Sequence, residues 1–300
     1  MSNCVDAIVD NTRYAQPGHR PPAGPGQVRG EGTGGAPVHT EPGSAGSTLT
    51  ALMQRIDLNS DLGEGASNDA AIMPFITSAN VACGGHAGDE RTMRETIGLA
   101  LRHGAGVGAH PGYPDRENFG RVPQRLDHTT LVAELHRQLG ALDDVARQLG
   151  AAVTHVKPHG ALYNQAERDA DVAGSIVTAV RSWRAQATVF ASPGSALERA
   201  ARDAGLRVAL EGFADRAYEP DGTLRSRLLP GAVLSDPAQA AAQAVSIVRE
   251  GGVRASDGTF IALAVDTLCL HGDGPEAAVI AMEVRSRLDA AGISVERFGS

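Results

Sequence analysis

The chain has 300 residues, of which 42% are hydrophobic and 21% charged, enough for one large domain or two modest ones around a buried interior. Acidic residues outnumber lysine plus arginine by 35 to 27 and no basic cluster stands out, which argues against a nucleic-acid partner. No apolar run approaches the roughly 20 residues of a membrane span, and the first residues lack a signal-peptide core. We therefore expect a soluble protein that is not exported.

The cysteines agree with that expectation. Cys4, Cys83 and Cys269 are odd in number and far apart, unlike the paired cysteines of disulfide or zinc frameworks. A reducing compartment follows, and we predict a cytoplasmic protein.

The first 52 residues differ in composition from the rest. Nearly half of residues 16–47 are glycine or proline and few are aliphatic, so this stretch buries too little apolar surface to offset the entropy of ordering it. We predict a disordered tail over residues 1–52 and one catalytic domain over residues 53–300. Met53 directly precedes the first ordered segment, which raises the hypothesis that translation begins there.

After Met53, short β-branched or apolar runs alternate with segments of helical periodicity, as in repeated β/α units around a parallel sheet. The predicted strands are Arg55–Leu58, Ala79–Cys83, Gly106–His110, Val153–Val156, Thr188–Ala191, Arg207–Leu210, Phe260–Leu270 and Ser294–Arg297. No internal sequence repeat is visible.

Two of the intervening helices carry clear signals. An apolar stripe at three- and four-residue steps predicts a long helix after Asp127, and it consists of Leu131, Leu135, Leu139, Leu142, Val145 and Leu149. Asp236 and Pro237 open an alanine-rich helix that runs to Glu250, with a capping acid followed by a first-turn proline. Seven or eight β/α units result, which fit either a closed barrel or a doubly wound sheet.

The first strand decides between these two folds. In residues 56–61 polar and apolar positions alternate, so Asp57, Asn59 and Asp61 share one face, and Ile56 and Leu58 share the other. The polar face has to line a wet interior. We therefore predict an α/β fold of the (β/α)7–8 TIM-like barrel type.

Three further strands repeat this arrangement. The inward positions on them are His110, His155, Lys157, His159, Thr267, Cys269 and His271, with Asp273 just beyond the last strand. Barrels of this type build active sites at the carboxyl ends of their strands. One convergent pocket is therefore predicted there.

Lys157 is the only lysine among the 27 basic residues. A compact ammonium can enter a tight pocket and stabilise a developing oxyanion, which a planar guanidinium does not reproduce. Asp61 and Glu64 lie among glycines in Asp61-Leu62-Gly63-Glu64-Gly65, a pattern suited to general-base work, cation binding or gripping a substrate amide. A plain acidic turn is the alternative.

Four histidines follow strands inside turns rich in Gly, Pro or Asp, where functional loops are expected, and these are His86, His110, His159 and His271. We interpret the other three after residue 53 outside the strands, His103, His128 and His136, as ordinary surface or core residues, and Cys83 as structural. No G-x-x-x-x-G-K-[ST] phosphate loop and no H-E-x-x-H zinc motif occurs. A nucleotide would therefore be bound unconventionally or by a partner.

Long motifs in order resemble the LamB/YcsF family, which is the family of the A component of 5-oxoprolinase. They include IDLNSDLGEG at Ile56–Gly65, ANVACGGHAGD at Ala79–Asp89, GAHPGYPDRENFGR at Gly108–Arg121, HVKPHGALYNQ at His155–Gln165, EGFADRAYEPDG at Glu211–Gly222 and DTLCLHGD at Asp266–Asp273. The resemblance implies a barrel akin to the glycoside hydrolase/deacetylase folds. It also implies cleavage of 5-oxoproline to L-glutamate coupled to ATP hydrolysis, with partner subunits B and C.

On this basis we assign roles to individual residues. The predicted catalytic residues are Asp61, Glu64, Lys157, His159 and His271. The predicted substrate-binding residues are Asn59, His86, His110, Asp215, Arg216 and Asp273. ATP is the expected co-substrate, together with Mg²⁺, bound by this chain or by a partner subunit.

Two other functions fit the same residues. In a metal-dependent amide or acetyl hydrolase, Asp61, His86 and His110 would hold a divalent cation that activates water. In a non-catalytic subunit, the chain would bind the lactam while its partners carry out the chemistry.

Overall fold

A closed barrel of parallel strands forms the centre of the protein. The computed structural model describes residues 54–272, 274 and 276–299. Its strands are β1 (Arg55–Leu62), β2 (Ser78–Ala82), β3 (Gly106–His110), β4 (Val153–Val156), β5 (Thr188–Ala191), β6 (Arg207–Phe213), β7 (Gly252–Arg254), β8 (Phe260–Ala262), β9 (Thr267–His271) and β10 (Ser294–Val295). Strands β1 to β6 pair in sequence order and β9 pairs with both β6 and β1, which closes a seven-stranded barrel.

Helices surround this barrel. They are α1 (Asp69–Ile72), α2 (Glu90–His103), α3 (His128–Gln148), α4 (Gly160–Ala166), α5 (Ala170–Arg184), α6 (Ala196–Asp203), α7 (Pro237–Glu250) and α8 (Ala277–Ala290), with a short 3-10 helix at Met73–Phe75. The Asp127 side chain accepts a hydrogen bond from the Thr130 backbone N–H, and Asp236 caps α7 before Pro237. Both helix starts agree with the sequence signals.

Several strands differ in their bounds from the prediction, whereas β3, β4 and β5 coincide with it. The single strand predicted at Phe260–Leu270 is two strands, β8 and β9, and β8 pairs antiparallel with β7 outside the barrel. That prediction was wrong because it joined two apolar runs across Asp266, although the chain leaves one sheet and enters another between them. Strands β1 and β6 extend four and three residues further than predicted, to Leu62 and Phe213. The strand predicted at Ser294–Arg297 is the short β10 beside the start of β1.

The barrel has an apolar outside and a polar inside, as the alternation in β1 predicted. Leu58 and Leu268 belong to the core between strands and helices, whereas Asp57 and Thr267 are register partners inside the barrel. The same register pairs Asp61 with His271 at the carboxyl ends of β1 and β9. The predicted TIM-like α/β barrel is confirmed, with seven strands.

Two predictions from the sequence lie outside the described residues, namely the disordered tail over residues 1–52 and initiation at Met53. Among the described residues, no helix combines the length and apolar character needed to cross a bilayer.

Candidate active site

A cavity of 650 Å³ opens at the carboxyl ends of the barrel strands. Its walls include seven residues predicted for the site, namely Asp61, Glu64, His110, Lys157, His159, Arg216 and His271. Asp61, His110 and His271 lie on strands whose alternation aims them inward, and the other four follow strand ends that the parallel barrel brings to one rim. The structure therefore gathers residues from well-separated sequence segments in one place.

Lys157 is buried at the floor of this cavity. Its Nζ lies 3.0 Å from Asp61 Oδ1 and 2.9 Å from Glu211 Oε1, and it donates hydrogen bonds to Asn59 Oδ1 at 3.2 Å and Cys269 Sγ at 2.9 Å. Burial disfavours the ammonium, but the charges of Asp61, Cys269 and Glu211 outweigh it and hold the pKa of Lys157 well above its usual range. Lys157 is thus a fixed positive charge.

Glu211 is a site residue that the sequence reasoning missed. Its carboxylate is buried beside Lys157, and neither oxygen accepts a well-aligned hydrogen bond from the described residues although Nζ is within ion-pair distance. The predicted strand ended at Leu210, one residue before Glu211, whereas β6 continues to Phe213. Extending the inward alternation of β6 by one step would have found it.

Glu64 lies at the centre of three histidines. Its Oε1 is 3.1 Å from His86 Nε2, 3.2 Å from His159 Nδ1 and 3.6 Å from His110 Nε2. Burial opposes ionisation of Glu64, but its contacts with His159, His86 and His110 hold the pKa of this carboxyl well below its usual range. Gly63 and Gly65, with φ of 73° and 89°, supply the left-handed turn that swings Glu64 back over the barrel.

Asp61 connects this histidine group to Lys157. Its Oδ2 is 3.4 Å from His110 Nε2, and Asn80 Nδ2 donates to its Oδ1 at 2.9 Å. Burial raises the pKa of a carboxyl, yet the charges of His110 and Lys157 hold that of Asp61 well below its usual range. Asp61 is therefore a carboxylate at neutral pH, as general-base work requires.

His271 and Asp215 form a second pair beside the cavity. His271 donates from Nδ1 to Asp215 Oδ1 at 2.9 Å, and its backbone N–H donates to Asp215 Oδ2 at the same distance. Burial opposes the charge of Asp215, but His271 lowers the pKa of that carboxyl below its usual value. Asp215 contacts His271 and does not line the cavity, so it positions the imidazole.

Arginines surround the mouth of the cavity, and they are Arg121, Arg168, Arg216, Arg225 and Arg227. Arg216 donates from Nε to the carbonyl of Ala232 at 3.0 Å and from Nη2 to that of Arg225 at 2.6 Å. Burial lowers the pKa of Arg216 to about 10. Part of this guanidinium therefore holds the loop after β6 in place, and its role toward a substrate carboxylate stays a prediction.

The other predicted positions are less directly placed at the cavity. Asn59 is fully buried one step below Asp61, and His86 lies behind Glu64 with 1% of its surface exposed. Asp273 lies outside the described residues. Cys83 is fully buried, donates from Sγ to the Val81 carbonyl and does not line the cavity.

The three histidines interpreted as ordinary lie away from the cavity. His103 is exposed at the end of α2. His128 Nδ1 lies 2.9 Å from Ser175 Oγ, and His136 Nε2 lies 2.8 Å from Ser182 Oγ. These contacts join α3 to α5 on the outside of the barrel.

Together the cavity offers a buried ammonium, two ionised carboxylates and a carboxylate-oriented histidine. This set can deprotonate water, stabilise negative charge on an attacked carbonyl and protonate a departing nitrogen. It is suited to hydrolysis at a carbonyl carbon.

Comparison with known proteins places this geometry in context. The sequence profile described as "LamB/YcsF family" matches residues 56–300. A protein from Methylococcus capsulatus, named as the A component of 5-oxoprolinase, is 49% identical over 253 residues, covering 83% of this chain and 97% of its own. One of the same name from Symbiobacterium thermophilum is 50% identical over 248 residues, covering 81% and 95%. The crystal structure of a lactam utilization protein from Thermus thermophilus superposes with a TM-score of 0.77 at 42% identity, covering 82% of this chain and all of its own.

Proposed function

The chain belongs to the LamB/YcsF family, and from that premise we propose that it is the A component of a 5-oxoprolinase. The reaction is the hydrolytic cleavage of 5-oxo-L-proline to L-glutamate, coupled to conversion of ATP to ADP and phosphate. The observation that carries the proposal is Lys157, the single lysine, fixed between Asp61 and Glu211 at the floor of the cavity. The names of two relatives at 49% and 50% identity supply the substrate.

ATP is chemically sensible because the amide carbonyl of a five-membered lactam is a poor electrophile. Transfer of the γ-phosphoryl group to the carbonyl oxygen gives an activated O-phosphoryl imidate and ADP. Water then adds to the same carbon, the carbon–nitrogen bond breaks as the nitrogen takes a proton, and an acyl phosphate remains. A second water hydrolyses that acyl phosphate to the γ-carboxylate of glutamate and free phosphate.

The residues of the cavity match these steps. Asp61 or Glu64 takes the proton of the attacking water, since the lowered pKa of each keeps it ionised and able to accept a proton at neutral pH. Lys157 stabilises charge on the oxyanion or the phosphoryl oxygens. Contacts support giving His271 rather than His159 the acid role, because His159 has both ring nitrogens engaged whereas Asp215 orients His271 through Nδ1 alone.

Partners follow from the same reasoning. The sequence has no phosphate loop, so we propose that subunits B and C bind ATP with Mg²⁺ and that this chain receives the phosphorylated lactam. The arginines at the cavity mouth support this, because guanidinium groups bind phosphate and carboxylate oxygens in pairs. We also propose that the complex works in the cytoplasm, as the odd number and wide spacing of the cysteines suggest.

Reconstitution tests the proposal directly. ATP-dependent glutamate formation from 5-oxoproline is measured with this chain alone, with subunits B and C alone, and with all three. We expect product only in the complete mixture, and a loss of about 10³-fold with Lys157→Ala at unchanged circular dichroism. Full activity from B and C alone would overturn the proposal.

The same assay addresses a non-catalytic subunit. In that case Lys157→Ala would weaken lactam binding, seen as a raised KM, while kcat at saturating 5-oxoproline stayed at the wild-type value. Our proposal expects the loss in kcat, because Lys157 acts on charge that develops during the reaction.

A further inference from the structure

Three ligand-type atoms converge beside the cavity. Glu64 Oε1, His110 Nε2 and His159 Nδ1 are mutually separated by 2.9 Å, 3.2 Å and 3.6 Å. All three residues line the cavity and are almost completely shielded from solvent. A carboxylate and two imidazole nitrogens this close together require a proton or a cation between them.

Backbone carbonyls fix the tautomers of both histidines. His110 Nδ1 is 2.7 Å from the carbonyl oxygen of Lys157, and His159 Nε2 is 2.9 Å from that of Phe119. A carbonyl only accepts, so each of these nitrogens carries a proton. In the neutral rings, His110 Nε2 and His159 Nδ1 are therefore lone pairs, and they face each other and Glu64 Oε1.

We propose that Glu64, His110 and His159 bind one divalent transition-metal ion of the zinc class. Nitrogen-rich sites with one carboxylate suit zinc, and its ligating histidines characteristically donate their second ring proton to a backbone carbonyl or carboxylate. A tetrahedral ion with bonds of roughly 2.1 Å holds its donor atoms about 3.4 Å apart. The three separations in this site all lie within about 0.5 Å of that value.

His86 positions Glu64 in this site. Its Nε2 is 3.1 Å from Glu64 Oε1, and its buried Nδ1 has no hydrogen-bond partner among the described residues. Were His86 a ligand through Nε2, its proton would lie on Nδ1 with no acceptor, which is costly in a buried position. Donation from Nε2 to Glu64 avoids that cost. Three protein ligands then leave a coordination position toward the cavity, the pattern of catalytic zinc sites.

Charge favours a cation at this place. Lys157 pairs with Asp61 and Glu211, whereas the Glu64 carboxylate faces the imidazoles of His86, His110 and His159. The competing explanation is a protonated His110, because Asp61 and Glu64 outweigh its burial and raise the pKa of this imidazole, whose Nε2 would then donate to His159 or Asp61. A metal ion would also serve the chemistry, because it lowers the pKa of bound water and polarises a carbonyl oxygen.

The site differs from the one expected from the sequence alternative of Asp61, His86 and His110. Asp61 Oδ2 is 3.4 Å from His110 but is turned toward Lys157 through Oδ1, and His86 lies behind Glu64. The inference does not depend on the substrate, since metal binding is measurable without turnover.

The full chain is purified, stripped with a chelator and titrated with Co²⁺, whose visible absorption reports coordination by nitrogen and oxygen ligands. We expect one ion per chain, displaced by one equivalent of Zn²⁺, and zinc in the unstripped protein by elemental analysis. Glu64→Gln and His159→Asn should each weaken binding by at least about 100-fold. His86→Asn should weaken it by about 10-fold, as a positioning residue does.

Two controls keep the test specific. His103→Asn removes an exposed histidine and should leave the titration unchanged. His271→Asn removes a member of a second cluster, Asp61, Cys269 and His271, and should also leave it unchanged. No absorption from the wild-type chain, or binding lost in His271→Asn and kept in Glu64→Gln, would overturn the assignment. Should a ligand variant unfold, the melting temperature is measured against Zn²⁺ concentration instead: the wild type should be stabilised at about 10-fold lower Zn²⁺ than His86→Asn, and equal stabilisation of the two would overturn the assignment.

Discussion

Asp57 and Asp61 lie on the same inward face of β1, four residues apart, yet their surroundings differ completely. Asp57 accepts hydrogen bonds from the hydroxyls of Thr77, Ser78 and Thr267 at 2.5 to 2.7 Å, and it lies below the cavity. Burial raises the pKa of Asp57 despite these bonds. Asp61 instead faces His110 and Lys157, and its pKa is lowered.

Position along the strand therefore decides whether an inward aspartate is structural or chemically active. The lower layer is closed, and its carboxyl group is satisfied by neutral donors that have no proton to exchange at neutral pH. In the upper layer titratable partners surround a carboxylate that reaches the cavity. Strand alternation alone puts both aspartates inside, so only the depth in the barrel distinguishes them.

The largest expected effect is on the upper layer. Asp61→Ala should reduce kcat/KM of the complete 5-oxoprolinase mixture by about 10³-fold, because it removes a carboxylate positioned to deprotonate water. Water from the cavity can replace the lost side chain, so the melting temperature should change by only a few degrees. Activity within about 10-fold of wild type would place the general base elsewhere.

Asp57→Ala is the matched control in the lower layer. Losing three buried hydrogen bonds and leaving a small cavity should lower the free energy of unfolding by about 3 kcal/mol, measured by urea denaturation. Activity per folded molecule should stay close to wild type. A large loss of kcat with unchanged stability would erase the distinction between the layers.

The sequence alone reveals only part of this difference between the two layers. Alternation along the strands correctly brought Asp61, Lys157 and His271 to one rim, because parity follows from backbone geometry. It did not reveal that Asp57 is satisfied by Thr77, since a hydrogen-bond partner from the residue before β2 depends on tertiary packing. Glu211 was missed because strand ends depend on pairing with neighbours, here with β9.

The third expected effect concerns a positioning residue. Asp215→Asn should lower kcat by about 30-fold with little change in KM, because His271 loses the acceptor that orients its ring. Asp143→Asn is the matched control, since Asp143 pairs with Arg184 on the outer helices at 2.7 Å. It should leave kcat unchanged. An equal rise in KM with unchanged kcat would make Asp215 a binding residue.

The fourth expected effect lies at the boundary between the layers, at His155. This buried ring stacks on Phe190 with centroids 4.4 Å apart and donates from Nε2 to Asn80 Oδ1 at 2.9 Å. Burial, followed by the charge of Lys157, lowers the pKa of His155 to about 3. The unfolded chain, with a His pKa of roughly 6.5, therefore binds a proton between about pH 3 and 6.5 that the folded chain does not.

That proton difference destabilises the fold as the pH falls from about 6.5 toward 3, by up to roughly 1.4 kcal/mol per pH unit. His155→Gln keeps an amide donor for Asn80 and removes the titrating ring, so the stability of the variant should fall less steeply between about pH 6 and 4. Urea denaturation of both proteins at several pH values measures the two slopes, with the exposed His103→Gln as the matched control. Equal slopes in wild type and His155→Gln would mean that His155 takes up its proton inside the barrel, so that the boundary between the layers shares the titratable character of the upper one.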